Sequence, residues 1–110
     1  MKLQTVLDLP DCKVLVSANP GRELSKVFCC DLLSIAMGKA PSDGVWVTVI
    51  GNKNTLAVAT LTDTACIVLA EGAMLDEETL KQAKTEGIAI LATELPAFDI
   101  ALKVHEAGQP

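Results

Sequence analysis

The sequence predicts an α/β fold: a single three-layer α/β/α domain built on a mostly parallel sheet. Three observations predict it. Val45–Ile50 and Ala65–Ala70 are short runs that are apolar at nearly every position, as expected of strands covered on both faces. About a dozen residues separate them, the length a parallel crossover needs. From Val45 onward such runs alternate with helical patterns, and the connections are only a few residues long.

In chain order, Leu3–Leu7 reads as a first strand and Lys13–Val16 as a second, divided by the turn at Leu9-Pro10-Asp11. Ser17-Ala18-Asn19-Pro20-Gly21 is a loop, and Leu24–Cys30 a third extended run. Asp31 is placed to cap a helix over Leu32–Lys39, with Lys39 favourable at its C-terminal end. Ala40-Pro41-Ser42-Asp43-Gly44 ends that helix and delivers the chain into the Val45 strand.

Gly51-Asn52 stops this strand, and Asn52 or Asn54 caps the following helix, with Leu56, Val58, Ala59 and Leu61 facing the sheet and Thr55, Thr60 and Thr62 as its polar positions. Its small side chains, Ala57 and Ala59, predict close packing, including against a second subunit. The clearest helix is Asp76–Gly87: Asp76 as N-cap, Glu77 and Glu78 in the first turn, Leu80 and Ala83 inward, Gly87 beyond the end. Ile88–Ala92 follows as a strand. A last helix begins near Pro96 and runs to Val104 or His105, with Phe98, Ile100, Ala101 and Val104 on one side. The absence of repeats and linkers predicts one domain over residues 1–110, with a core at about 24–108 preceded by N-terminal strands and a loop.

Bulk properties narrow the function. A chain of 110 residues holds one ordinary domain. Half its residues are apolar and only 3% aromatic, so the core is aliphatic. A net charge of -5 with 9 basic residues leaves no footprint for a phosphate backbone, so nucleic acid is not expected as a partner. No run approaches a membrane span, and the N-terminal apolar run is too short for a signal-peptide core, so a cytoplasmic location is expected. Cys12, Cys29, Cys30 and Cys66 are then expected as reduced thiols rather than a disulfide framework.

Catalytic patterns are missing. Gly51-Asn52-Lys53-Asn54-Thr55 lies between a strand and a helix, where phosphates often bind, yet it matches neither G-x-x-x-x-G-K-[ST] nor G-x-G-x-x-G. Its simplest reading is a turn with an N-cap, and kinase or ATPase chemistry is not expected. The cysteines and His105 fit no metal-ligand spacing, so neither metal nor cofactor is expected. His105 has no nucleophile elbow or orienting acid to join it in a triad. Thr48, Glu71, Gly72, Thr93 and Glu94 lie near strand ends, the usual ligand-binding edge of a parallel sheet.

Cys30–Ser34, Val45–Val49, Asn54–Ala59, Ala65–Leu69 and the run Asp76–Thr93 with Phe98 after it resemble, in order and spacing, the DRTGG domain. Where family members carry a G-D-R-like turn this chain has Gly51-Asn52-Lys53, and where they carry T-G-G it has Ala70-Glu71-Gly72. The resemblance implies a regulatory or assembly module, of the kind found beside CBS pairs in certain inorganic pyrophosphatases, in phosphotransacetylases, and in something similar to the N-terminal domain of HPr kinase. It implies a tendency to dimerise and a setting near adenine-nucleotide sensors. The expectation is therefore a non-catalytic homodimeric regulatory or assembly module that acts through contacts with a protein partner and is tuned by a small ligand. The alternative is an adenine-nucleotide sensor using Thr48, Gly51, Asn52, Lys53, Asn54, Glu71, Gly72 and Thr93. A third is a cysteine-dependent redox or metal protein.

Overall fold

A computed structural model describes residues 1–109. Its elements are α1 (Leu3–Leu7), β1 (Lys13–Val16), β2 (Val27–Cys29), α2 (Leu33–Lys39), β3 (Val45–Thr48), α3 (Lys53–Leu61), β4 (Cys66–Leu69), α4 (Glu77–Glu86), β5 (Ala89–Ala92) and α5 (Ala97–Ala107). The five strands form one sheet in the order β1-β5-β4-β3-β2. The pairs β2/β3, β3/β4 and β4/β5 are parallel, and β1 lies antiparallel to β5. The expected three-layer α/β architecture is therefore present.

The layers follow from strand periodicity. Val45, Val47, Cys66, Val68, Ala89 and Leu91 share a core with α1 and α5, while Trp46, Ile67, Leu69 and Ile90 share another with α2, α3 and α4. Each central strand therefore covers both cores, which is why its sequence is apolar without alternation. Trp46, 1% exposed, satisfies its indole N–H on the Cys30 carbonyl at 2.9 Å. From β2 to β5 each crossover moves one strand further in the same direction and keeps its helix on the same face, as a uniform crossover hand requires.

Several expectations are corrected. Leu3–Leu7 is a helix, not a strand: Leu3, Val6 and Leu7 fall at helical spacing and are all buried on one face. The N-terminal region is thus a helix followed by a single strand, and that strand joins the sheet of its own chain. Asp31 does not cap α2, whose N-cap is Leu32 with no side-chain bond. Instead its carboxylate accepts from Thr48 Oγ1 at 2.8 Å and Val49 N at 3.0 Å, tying the ends of β2 and β3 together. In α3, Leu61 is 72% exposed, whereas Thr55 is buried. Of the small residues of α3, Ala59 is buried within the chain, where the helix lies between α2 and α4, and Ala57 is exposed. Phe98 points outward, 71% exposed, while Ile100, Ala101 and Val104 are buried.

Asn52 does cap α3, accepting from Asn54 N and Thr55 N, and Asp76 caps α4, accepting from Thr79 N. Gly87 ends α4 at φ 72°, the left-handed conformation that glycine adopts without cost. One feature that spacing did not reveal lies at the opposite edge of the sheet. Asp43 and Asp63, both left-handed, end the α2–β3 and α3–β4 connections, and the Arg22 guanidinium reaches both carboxylates at 2.8–3.0 Å.

Candidate functional site

The carboxyl ends of β2–β5 gather the loops that a parallel sheet offers to ligands. In an open α/β sheet the crevice opens where successive loops leave for opposite faces. Here the loops after β2, β3 and β4 all turn toward the α2/α3/α4 face, and only the one after β5 turns toward the α1/α5 face. The single switch point therefore lies between the ends of β4 and β5. A cleft of about 490 Å³ opens beside it, within the size range of small-molecule sites. Its walls are the β4–α4 loop (Gly72–Leu75), Leu80 of α4, the end of β5 (Ala92–Glu94) and the start of β1 with its preceding turn (Pro10–Lys13, Leu15).

Two residues in the left-handed region shape the switch. Glu71 (φ 60°) and Gly72 (φ 72°) make a tight reversal held to the β5–α5 loop: Glu71 N donates to Leu95 O at 2.9 Å and Gly72 N to Thr93 O at 3.0 Å. The Glu71 carboxylate accepts from Ala97 N at 3.2 Å, at the positive end of α5. Thr93, 6% exposed, accepts from Leu95 N through its hydroxyl at 3.2 Å. Gly51 lies against the same loop from the other side. A Cβ there would sit 2.6 Å from Met74 O and 3.3 Å from Leu75 Cα, so only glycine permits this approach.

Cys12 lines the cleft as an apolar surface rather than as a nucleophile. Burial and the neighbouring Asp11 push its thiol up to about 11, so the thiolate is scarce at neutral pH. Cys66, fully buried in β4, is pushed up to about 12 by burial. The four cysteines are free, and no group of three or more His, Cys, Asp or Glu among the described residues is placed to hold a metal ion.

A second hollow, of about 410 Å³, separates the N-termini of α3 and α4 and is lined by Asn52, Lys53, Asn54, Asp76, Glu78 and Thr79. Asn54 N and Thr55 N already serve the Asn52 side chain and Thr79 N the Asp76 side chain, and the Asp76 and Glu78 carboxylates share the lining with Lys53. The residues marked by sequence are therefore divided. Gly72 and Thr93 line the cleft, and Glu71 and Gly51 shape its loops. Asn52, Lys53 and Asn54 line the other hollow, and Thr48 is bound to Asp31. Leu15, Cys12 and Lys13 were not marked, because nothing in sequence brings the start of β1 to the end of β5, and Leu80 reads there only as an inward position of α4.

A family model, the DRTGG domain, matches residues 6–107. The chain belongs to the DRTGG domain family. Among solved structures, the CBS and DRTGG domains of the regulatory region of Clostridium perfringens pyrophosphatase, complexed with the activator diadenosine tetraphosphate, share its fold. The TM-score is 0.74 at 14% identity, over 96% of this chain and 46% of that one. This DRTGG domain thus spans about half the length of that structure. No curated protein matches it. Both turns at which it departs from the family's naming residues, Gly51-Asn52-Lys53 and Ala70-Glu71-Gly72, border the β4–α4 loop of the cleft.

Proposed function

We propose that this DRTGG domain is a non-catalytic regulatory module that works as a homodimer, with a small ligand setting its state. The observation that carries the reading is the apolar border along the outer edge of the sheet. Strand β2 ends the sheet with one side unpaired, a template that folded proteins normally cover. On one side of it α2 exposes Leu32, Ile35 and Met37 and buries only Ala36. On the other, α5 exposes Phe98 and Leu102 at i, i+4 spacing. Lys103 of the same helix binds Asp11 at 3.4 Å, while Phe98 and Leu102 stay exposed on a helix that packs on β2 and β3. A two-fold axis beside β2 brings this patch against its own copy, the self-complementary contact of a C2 dimer.

Cys29 tests it. It is exposed in the single chain and lies in β2, so dimerisation covers it. Iodoacetamide should alkylate Cys29 more slowly in the wild type than in Ile35→Glu at equal concentration. Equal rates, with both proteins folded, would refute a dimer through this edge.

A second reading, an adenine-nucleotide sensor, draws support from the pyrophosphatase regulatory region, whose activator is diadenosine tetraphosphate. It would use the strand ends and loops at Thr48, Gly51, Asn52, Lys53, Asn54, Glu71, Gly72 and Thr93. Saturable AMP or ATP binding that disappears in Lys53→Ala and Asn54→Ala is its expected signature; no thermal shift with any nucleotide sinks it. The cytoplasm suits the four free thiols. Fewer than four titratable thiols in protein drawn from its native cell would argue for an oxidising compartment instead.

A further inference from the structure

The switch-point cleft has a charge pattern that identifies a class of ligand, an inference that rests on the small-ligand part of the proposed function. Its floor and sides are aliphatic: Leu15 from β1, Ala92 from β5, Leu75 from the β4–α4 loop and Leu80 from α4. At its mouth stand one cation and one anion. Lys13 faces Ala92 across the antiparallel ladder, and Glu94 follows β5 with its carboxylate against Gly72 of the β4–α4 loop, so both charges belong to the cleft wall at the carboxyl end of β5. Neither takes part in an ion pair or side-chain hydrogen bond among the described residues. The remaining charge on the wall, Asp11, is already matched by Lys103 at 3.4 Å.

A polyphosphate is poorly served here, because the wall offers it a single unpaired ammonium and sets an unpaired carboxylate on the same cleft. A purely cationic or purely anionic small molecule would satisfy one group and oppose the other. A molecule carrying both charges close together at one end, with an apolar body, satisfies both and places its body on the leucines. We propose that the cleft binds an apolar α-amino acid: its carboxylate meets Lys13, its ammonium meets Glu94, and its side chain lies among Leu15, Leu75 and Leu80. Met74, 85% exposed on the rim, is a flexible side chain able to fold over that body.

The test is calorimetric titration of the full chain with leucine, methionine and phenylalanine, beside isoamylamine and isocaproate, which each keep one charge of leucine. The expected result is saturable binding of at least one amino acid, with affinity at least tenfold weaker for both single-charge analogues. Lys13→Ala and Glu94→Gln, at exposed positions, should each weaken binding tenfold or more with the melting temperature unchanged. Absence of amino-acid binding at millimolar concentration overturns the inference. So does equal binding of isoamylamine, or adenine-nucleotide binding that Lys13→Ala abolishes. The solution mass of the same sample separates the two claims: a dimer that ignores amino acids refutes only this inference, and a monomer that binds them refutes only the dimer.

Discussion

Replacing Gly51 with alanine tests whether the β3–α3 and β4–α4 loops are pressed together as the geometry requires. The new Cβ would lie 2.6 Å from the Met74 carbonyl oxygen and 3.0 Å from Leu69 Cδ1. To restore an ordinary 3.4 Å contact with that oxygen, the two loops must part by about 0.8 Å. Two of the nearest three atoms are backbone, so no side-chain rotation relieves the contact. Overpacking of this kind costs about 1–3 kcal/mol, and the stiffer unfolded chain of alanine returns about 0.4–1 kcal/mol. A net loss of about 1–2 kcal/mol corresponds to a fall of about 5–15 °C in Tm for a domain of this size. Gly38→Ala is the internal control: it lies within α2 with no atom within 4 Å of the added Cβ, so it should raise stability by about 0.5–1 kcal/mol. Thermal unfolding followed by far-UV circular dichroism measures both. A Gly51→Ala protein that melts at or above the wild type, alongside a stabilised Gly38→Ala protein, would refute the close approach.

Other outcomes follow from the same geometry. Arg22→Ala leaves the Asp43 and Asp63 carboxylates without their shared guanidinium and should cost about 2 kcal/mol in chemical denaturation, more than Lys2→Ala, whose partner Glu23 is exposed. The Asp76 carboxyl is held below its ordinary 3.8, first by the Thr79 backbone N–H and also by nearby Lys53. Because its native value lies below the unfolded one, its contribution is whole above about pH 4 and is lost as pH falls through the native value. Tm should therefore fall more for the wild type than for Asp76→Asn between about pH 6 and about pH 3. Cys66, fully buried with its thiol pushed up to about 12, should resist alkylation until the protein unfolds, as mass spectrometry of the labelled peptides will report.

Much of the fold is legible in the sequence because its signals are local. Strands covered on both faces must be apolar almost throughout, and Val45–Val47 and Cys66–Leu69 are. Asn52 and Asp76 sit where a cap can reach the N3 amide, and Gly87 sits where a left-handed residue is needed. Leu3–Leu7 was misread because five residues are too few to separate period 2 from 3.6, and the Thr5-Val6 pair favours strands by propensity. Asp31 has the chemistry of a cap, yet a strand end three-dimensionally adjacent to it offered a better donor pair in Thr48 and Val49. Phe98 and Leu61 break the rule that apolar residues on a helix face inward, and only Phe98 enters the dimer proposal, as an exposed residue of α5, the helix that packs on β2.

The cleft was half legible. Gly72 and Thr93 were found as strand-end residues, since the carboxyl edge of a parallel sheet can be read from topology. Lys13 and Leu15 were not, because the antiparallel pairing of β1 with β5 joins segments far apart in sequence. Register of that kind depends on tertiary packing and has no local mark.

The regulatory-dimer account is tested most directly by sedimentation velocity of the wild-type protein over a dilution series from tens of micromolar downward, with Phe98→Glu alongside. The account predicts twice the chain mass for the wild type at the upper end and the single-chain mass for the variant throughout. A wild type that sediments as a single chain at every concentration would contradict it.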